Sequence, residues 1–153
     1  MADYYGKTRT NYFSVTDAEK FKQIIASCGS TDEIKIFDEK QNDGSVKYMF
    51  YCEGIIQGLP EREKSGDDDN REDCEDDDFD YDYNAFCESL QKIIPDNDAI
   101  IITEIGSEKM RYLTGISTVI TNKDFKCIDI SRESVKLAAK MLNNPEFTTQ
   151  IEY

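Results

Sequence analysis

Sixteen residues, Asp67–Asp82 (DDDNREDCEDDDFDYD), carry eleven acids and a single base, Arg71. Carboxylates at that density do not enter an apolar core, because an unpaired charge pays a large desolvation cost there. The chain must therefore leave its core before this run and re-enter it afterwards. Over Glu61–Asp82 there are thirteen acids against three bases, a net −10 within a chain total of −14. The other 131 residues carry only −4, so the charge is one local feature of an otherwise ordinary chain. The flanks, about 60 and 70 residues long, are each small for a core of their own. One domain spanning residues 1–153, with an acidic insertion at about 61–82, is the expected organisation.

The flanks carry hydrophobic patterns of both periods. Asn11–Val15 reads as a short strand, and Thr16-Asp17-Ala18-Glu19 as a capping box. That box opens a helix over Asp17–Cys28, with Phe21, Ile24, Ile25 and Cys28 on one face and Gly29 as its left-handed stop. Glu33–Glu39 and Val46–Cys52 read as a hairpin about Asn42-Asp43-Gly44. Gly54, Gly58 and Pro60 then break the pattern. Beyond the acids, Tyr83, Phe86, Cys87, Leu90, Ile93 and Ile94 recur at helical spacing up to Pro95, with Asp80 or Asp82 as cap. Strands follow at Asp98–Glu104, Met110–Thr121 and Phe125–Ile130, the first turning at Gly106-Ser107-Glu108. Ser131 caps a last helix that ends before Pro145. The order β-α-β-β, acidic loop, α-β-β-β-α predicts an α+β fold: a largely antiparallel sheet of five to six strands with three helices.

Composition excludes much chemistry. The chain has no histidine, which removes Ser/His/Asp and Cys/His nucleophiles and histidine general bases. No GxxxxGK, GxGxxG or GxSxG motif occurs. The five cysteines (Cys28, Cys52, Cys74, Cys87, Cys127) make no CxxC pair and are expected to be reduced thiols, most of them in the core. An EF-hand loop begun at Asp67 fails at Arg71 and Glu72, and one begun at Asp76 fails at Tyr81 and Cys87. No enzyme activity, cofactor or dedicated metal site is expected. With a pI near 4.3, direct contact with nucleic acid or anionic membrane is disfavoured, and a basic protein partner is favoured. No apolar run suits a membrane span or a secretory signal, so the expected compartment is the cytoplasm.

The segment Arg9-Thr10-Asn11-Tyr12-Phe13, followed by Val15, Asp17, Glu19, Lys20 and Phe21, resembles the opening of a group of small acidic proteins carried by phages and other mobile elements. The stretch Lys109–Gly115 (KMRYLTG) is similar as well. The resemblance implies a mobile-element accessory protein of the anti-restriction or anti-CRISPR kind, often small acidic DNA mimics. It carries over no functional residue.

Charge spacing leads to the same expectation. Drawn out at about 3.3 Å per residue, the run places a carboxylate every ~5 Å, against a phosphate every ~3.4 Å along one DNA strand. A basic nucleic-acid-binding protein or nucleoprotein complex should attract it. The expected partner-binding residues are Asp67, Asp68, Asp69, Asp73, Glu75, Asp76, Asp77, Asp78, Asp80 and Asp82, with Asp67–Asp69, Asp73 and Asp76–Asp78 standing in for phosphates. Phe79, Tyr81 and Tyr83 add aromatic contact area to that set, or else anchor the run to the core. An immunity protein or antitoxin against a basic toxin has the same electrostatics. A divalent-cation binder and a purely solubilising loop are the remaining alternatives.

Overall fold

The structure, a computed structural model, describes residues 4–61, 80–108 and 112–149. Nine strands and three helices are assigned among them: β1 (Tyr5–Thr10), α1 (Ala18–Ser27), β2 (Gly29–Ser30), β3 (Ile34–Lys40), β4 (Val46–Cys52), β5 (Ile56–Pro60), β6 (Tyr81–Asp82), α2 (Tyr83–Gln91), β7 (Ile100–Glu108), β8 (Tyr112–Ile120), β9 (Phe125–Asp129) and α3 (Ile130–Met141). The fold is α+β, as the element order predicts. Six strands pair antiparallel in the order β3-β4-β1-β7-β8-β9, and a smaller sheet runs β2-β5-β6.

Strand β1 holds this sheet together. Its residues alternate exposed and buried, with Gly6, Thr8 and Thr10 inward and Tyr5, Lys7 and Arg9 outward. It bridges the β3–β4 hairpin and the β7–β8–β9 meander, pairing Thr8 with Cys52 on one side and with Glu104 on the other. The hydrophobic pattern favours Asn11–Val15 as the first strand instead. There the chain makes only an isolated bridge between Phe13 and Tyr48. Hydrophobicity misleads because β1 turns small polar threonines, not aliphatics, toward the core. Their hydroxyls are matched: Thr8 donates to Gly54 O at 2.9 Å, and Thr10 accepts from Phe50 N at 3.1 Å.

Helices α1 and α2 cover one face of the sheet. One buried cluster joins Phe13, Phe21, Phe50, Cys52 and Ile56, from before the acidic run, to Phe86, Leu90, Ile100, Ile102 and Ile120 after it. The phenylalanines meet edge to face, Phe13 on Phe21 at 5.4 Å and Phe50 on Phe86 at 6.4 Å between centroids. Each such ring contributes about 1.5–3 kcal/mol by leaving water. Among the described residues, nothing covers the opposite face of the sheet across its middle strands.

Several boundaries move for identifiable reasons. Asp17, not Thr16, caps α1, its carboxylate accepting from Lys20 N at 3.1 Å, while Thr16 N is committed to Ile93 O at 2.7 Å. Gly29 stops no helix in a left-handed turn; it joins β2, where the Tyr81 ring occupies the space a side chain would fill. Helix α2 ends at Gln91, and Ile93 and Ile94 are buried in the turn that follows. The expected turn at Gly106 lies within β7, because Gly6 and Thr114 continue the ladder on both sides. Asp129, not Ser131, caps α3, accepting from Ser131 N at 3.0 Å and Arg132 N at 3.3 Å. The β3–β4 hairpin is as expected, with Gln41 N donating to Ser45 O at 2.7 Å and Gly44 at φ +90°.

Candidate functional site

The acidic run leaves and rejoins the described structure at one place. Strand β5 falls where Gly54, Gly58 and Pro60 read as breakers, and it pairs antiparallel with β6. Leu59 faces Asp82, Pro60 faces Tyr81, and Glu61 N donates to Asp80 O at 2.8 Å. Residues 62–79 are therefore closed at their base by a two-stranded root. The glycine at position 58 is required for that root. Its φ is +120°, and a side chain there would come within 2.5 Å of Asp82 O. The root packs on the helical layer: Ile56 belongs to the buried cluster, Leu59 packs against it, and β5 lies against α1 and α2.

The end of the run at Asp80–Tyr83 is described, and each residue has a distinct place. Asp80 is exposed and holds the root through its carbonyl. Tyr81 is half-buried, with its ring over Gly29. Asp82 caps α2, its carboxylate accepting from Ala85 N at 3.0 Å, where the helix N-terminus favours an anion. Tyr83 packs against the buried cluster 5.9 Å from Phe86, and its hydroxyl pairs with Thr118 Oγ1 at 3.1 Å. Burial raises the Tyr83 hydroxyl above the ordinary tyrosine range, the Thr118 hydrogen bond opposing, so it stays protonated. Tyr83 thus touches the core and Tyr81 lies over Gly29, while both rings stay half-exposed. Asp67, Asp68, Asp69, Asp73, Glu75, Asp76, Asp77, Asp78 and Phe79 lie outside the described residues.

No protein-family model, curated protein or solved structure matches the chain.

Of the other ionisable groups, Glu104 stands out. It shares the helix-covered face with Ile100 and Ile102 by strand parity, beside Tyr4, whose hydroxyl donates to Glu104 Oε2 at 3.4 Å. Burial raises its carboxyl above the usual range, and the Tyr4 hydrogen bond works the other way. In the sequence Glu104 is one acid among thirty-two, although its parity with two isoleucines marks it. Among the thiols, burial pushes Cys28 and Cys87 up to about 12, so both stay protonated at neutral pH. Cys52 is buried and Cys127 exposed, and all four are free. Cys74 lies outside the described residues. Among the described residues no three His, Cys, Asp or Glu side chains gather as a metal site, and no helix is long and apolar enough to cross a membrane.

Proposed function

We propose that this chain is a non-enzymatic inhibitor that occupies a basic, nucleic-acid-binding surface of a host-defence nuclease or effector complex. The observation that carries the proposal is the closed root. A run whose carboxylates would fall about every 5 Å if drawn out is tied at both ends to one point, Glu61 N to Asp80 O, on a packed domain face. An anionic segment so held is offered at a defined place, and it excludes a competing polyanion from whatever surface it engages. The carboxylates from Asp67 to Asp78 are the phosphate substitutes, and Asp80 extends them to the root. Tyr81, Asp82 and Tyr83 serve the proposal by anchoring the run. Electrostatic attraction of this kind weakens steeply with salt.

The test is competition in a host-cell lysate. Partners retained at low salt and released at moderate salt are compared between the native chain and one carrying Asp76→Ser, Asp77→Ser and Asp78→Ser. The native chain should displace DNA or RNA from the retained partner, and the triple variant should do so about tenfold or more less well, each missing carboxylate removing part of the charge attraction. Equal inhibition by the two proteins at both salt levels would sink the proposal.

A further inference from the structure

The face of the sheet opposite α1, α2 and the root of the acidic run carries a second interaction surface. Register puts Arg9 outward at the centre of the sheet, beside Tyr51 on β4 and Thr103 on β7. Around it lies a groove of about 870 Å³ across β4, β1 and β7. Phe37 and Tyr51 form one wall, stacked with centroids 5.4 Å apart and planes 12° apart. Ile101 and Ile105 form the other, and Met49 lies in the floor. These are not residues a sheet leaves to water without reason: Phe37 is 47 % and Ile105 55 % exposed. Lys7 at the rim is committed to Glu53 at 3.4 Å. The Arg9 guanidinium has no ion-pair partner among the described residues, and its planar fork is suited to a carboxylate.

Charge decides the kind of occupant. Lys35, Lys47 and Lys126 share this face with Arg9 and Lys7, against Glu39 and Glu53, so the face is cationic on a chain of net −14. A second copy meeting it face to face would bring like charge to like. A nucleic-acid strand needs free aromatic faces and unpaired cations. Here the two rings stack on each other and Lys35 Nζ lies 5.9 Å from the Tyr51 centroid, so neither ring has both faces free for a base. We propose that the groove docks an apolar segment of a partner protein bearing one carboxylate, the acid on Arg9 and the apolar side chains between the Phe37–Tyr51 pair and the two isoleucines. The groove lies on the sheet face opposite the β5–β6 root, and the proposal does not rest on what the acidic run binds.

The test uses fluorescence polarisation with labelled short peptides, each a central Glu flanked by Leu, Ile, Val or Phe in varied order between Gly-Ser spacers. Their Gln-centred twins and a short oligothymidylate are controls. Members of the Glu set should bind at micromolar levels. Binding should weaken about tenfold or more for the Gln twins and for Arg9→Ala, since each removes one charge-assisted hydrogen-bond pair. Phe37→Ser should abolish it, and Arg9→Lys should retain part of it. Both side chains point outward, and circular dichroism verifies that each variant is folded. The triple Asp76–Asp78 serine variant should bind these peptides as the native chain does. The proposal is overturned by equal binding of the Gln twins, by binding that survives Arg9→Ala, or by no member binding below about 1 mM. Arg9-dependent binding of the oligothymidylate, or a sedimenting dimer that Arg9→Ala dissolves, would equally overturn it.

Discussion

A carboxylate placed on the covered face of a sheet keeps its proton longer than one in water, and Glu104 is such a group. Its folded form binds the proton more tightly than the unfolded chain does, so the ionised state above the ordinary carboxylate range works against folding. Glu104→Gln should therefore raise stability at pH 7, by about 0.5 kcal/mol once partial exposure is discounted, or roughly 2 °C in the thermal midpoint. The gain should disappear below about pH 4, where the native and unfolded carboxyls are both protonated. A variant no more stable at pH 7 than at pH 4, relative to the native chain, would show that burial costs this carboxylate nothing. Gly58 supplies a second test at this scale. With φ at +120° and Asp82 O in the way, Gly58→Ala strains the backbone and pushes β5 from β6. It should cost about 2 kcal/mol, read as a lower urea midpoint.

At the scale of elements, the root of the acidic run and the start of α2 are one construction. Asp82 is paired in β6 and caps the next helix with the same residue. Asp82→Ala should cost about 1 kcal/mol by removing the cap. If the root also depends on it, hydrogen exchange at Glu61 N should quicken more than at backbone amides of β7. Exchange that quickens equally at both places would mean that the root opens only with the whole fold. Helices and the hairpin are legible in the sequence because their signals are local: a cap, a 3.6-residue period, a tight turn. Strands β1 and β5 are not. The inward residues of β1 are Gly6, Thr8 and Thr10, which carry no hydrophobic period, and β5 contains Gly58 and Pro60, which read as punctuation. Both are strands because partners on either side demand hydrogen bonds, and that demand is not local.

Across the whole molecule, charge is uneven: the sequence puts a net −10 in Glu61–Asp82, whose root lies on the helical layer, and the described open face carries a cationic groove. Like charges crowded into one run repel, and salt screens them over about 10 Å at 0.1 M. The thermal midpoint should accordingly rise as NaCl goes from about 20 to 300 mM. The triple Asp76–Asp78 serine variant should melt no lower than the native chain and respond less to salt. A lower midpoint would mean that those acids contribute contacts to the fold. What the sequence determined by itself was the α+β class, the three helices, the exclusion of histidine chemistry and the local net −10 of Glu61–Asp82, all of which follow from composition and short-range pattern. Only the tertiary structure decided that β1 lies at the centre of the sheet, that Arg9 faces an apolar groove, and that the acidic run closes on a strand pair. Those depend on which strands become neighbours, and strand neighbours are chosen by pairing across long separations in the chain. The run that most constrained the fold is thus held at its root by Glu61 and Asp80, joined by one 2.8 Å hydrogen bond.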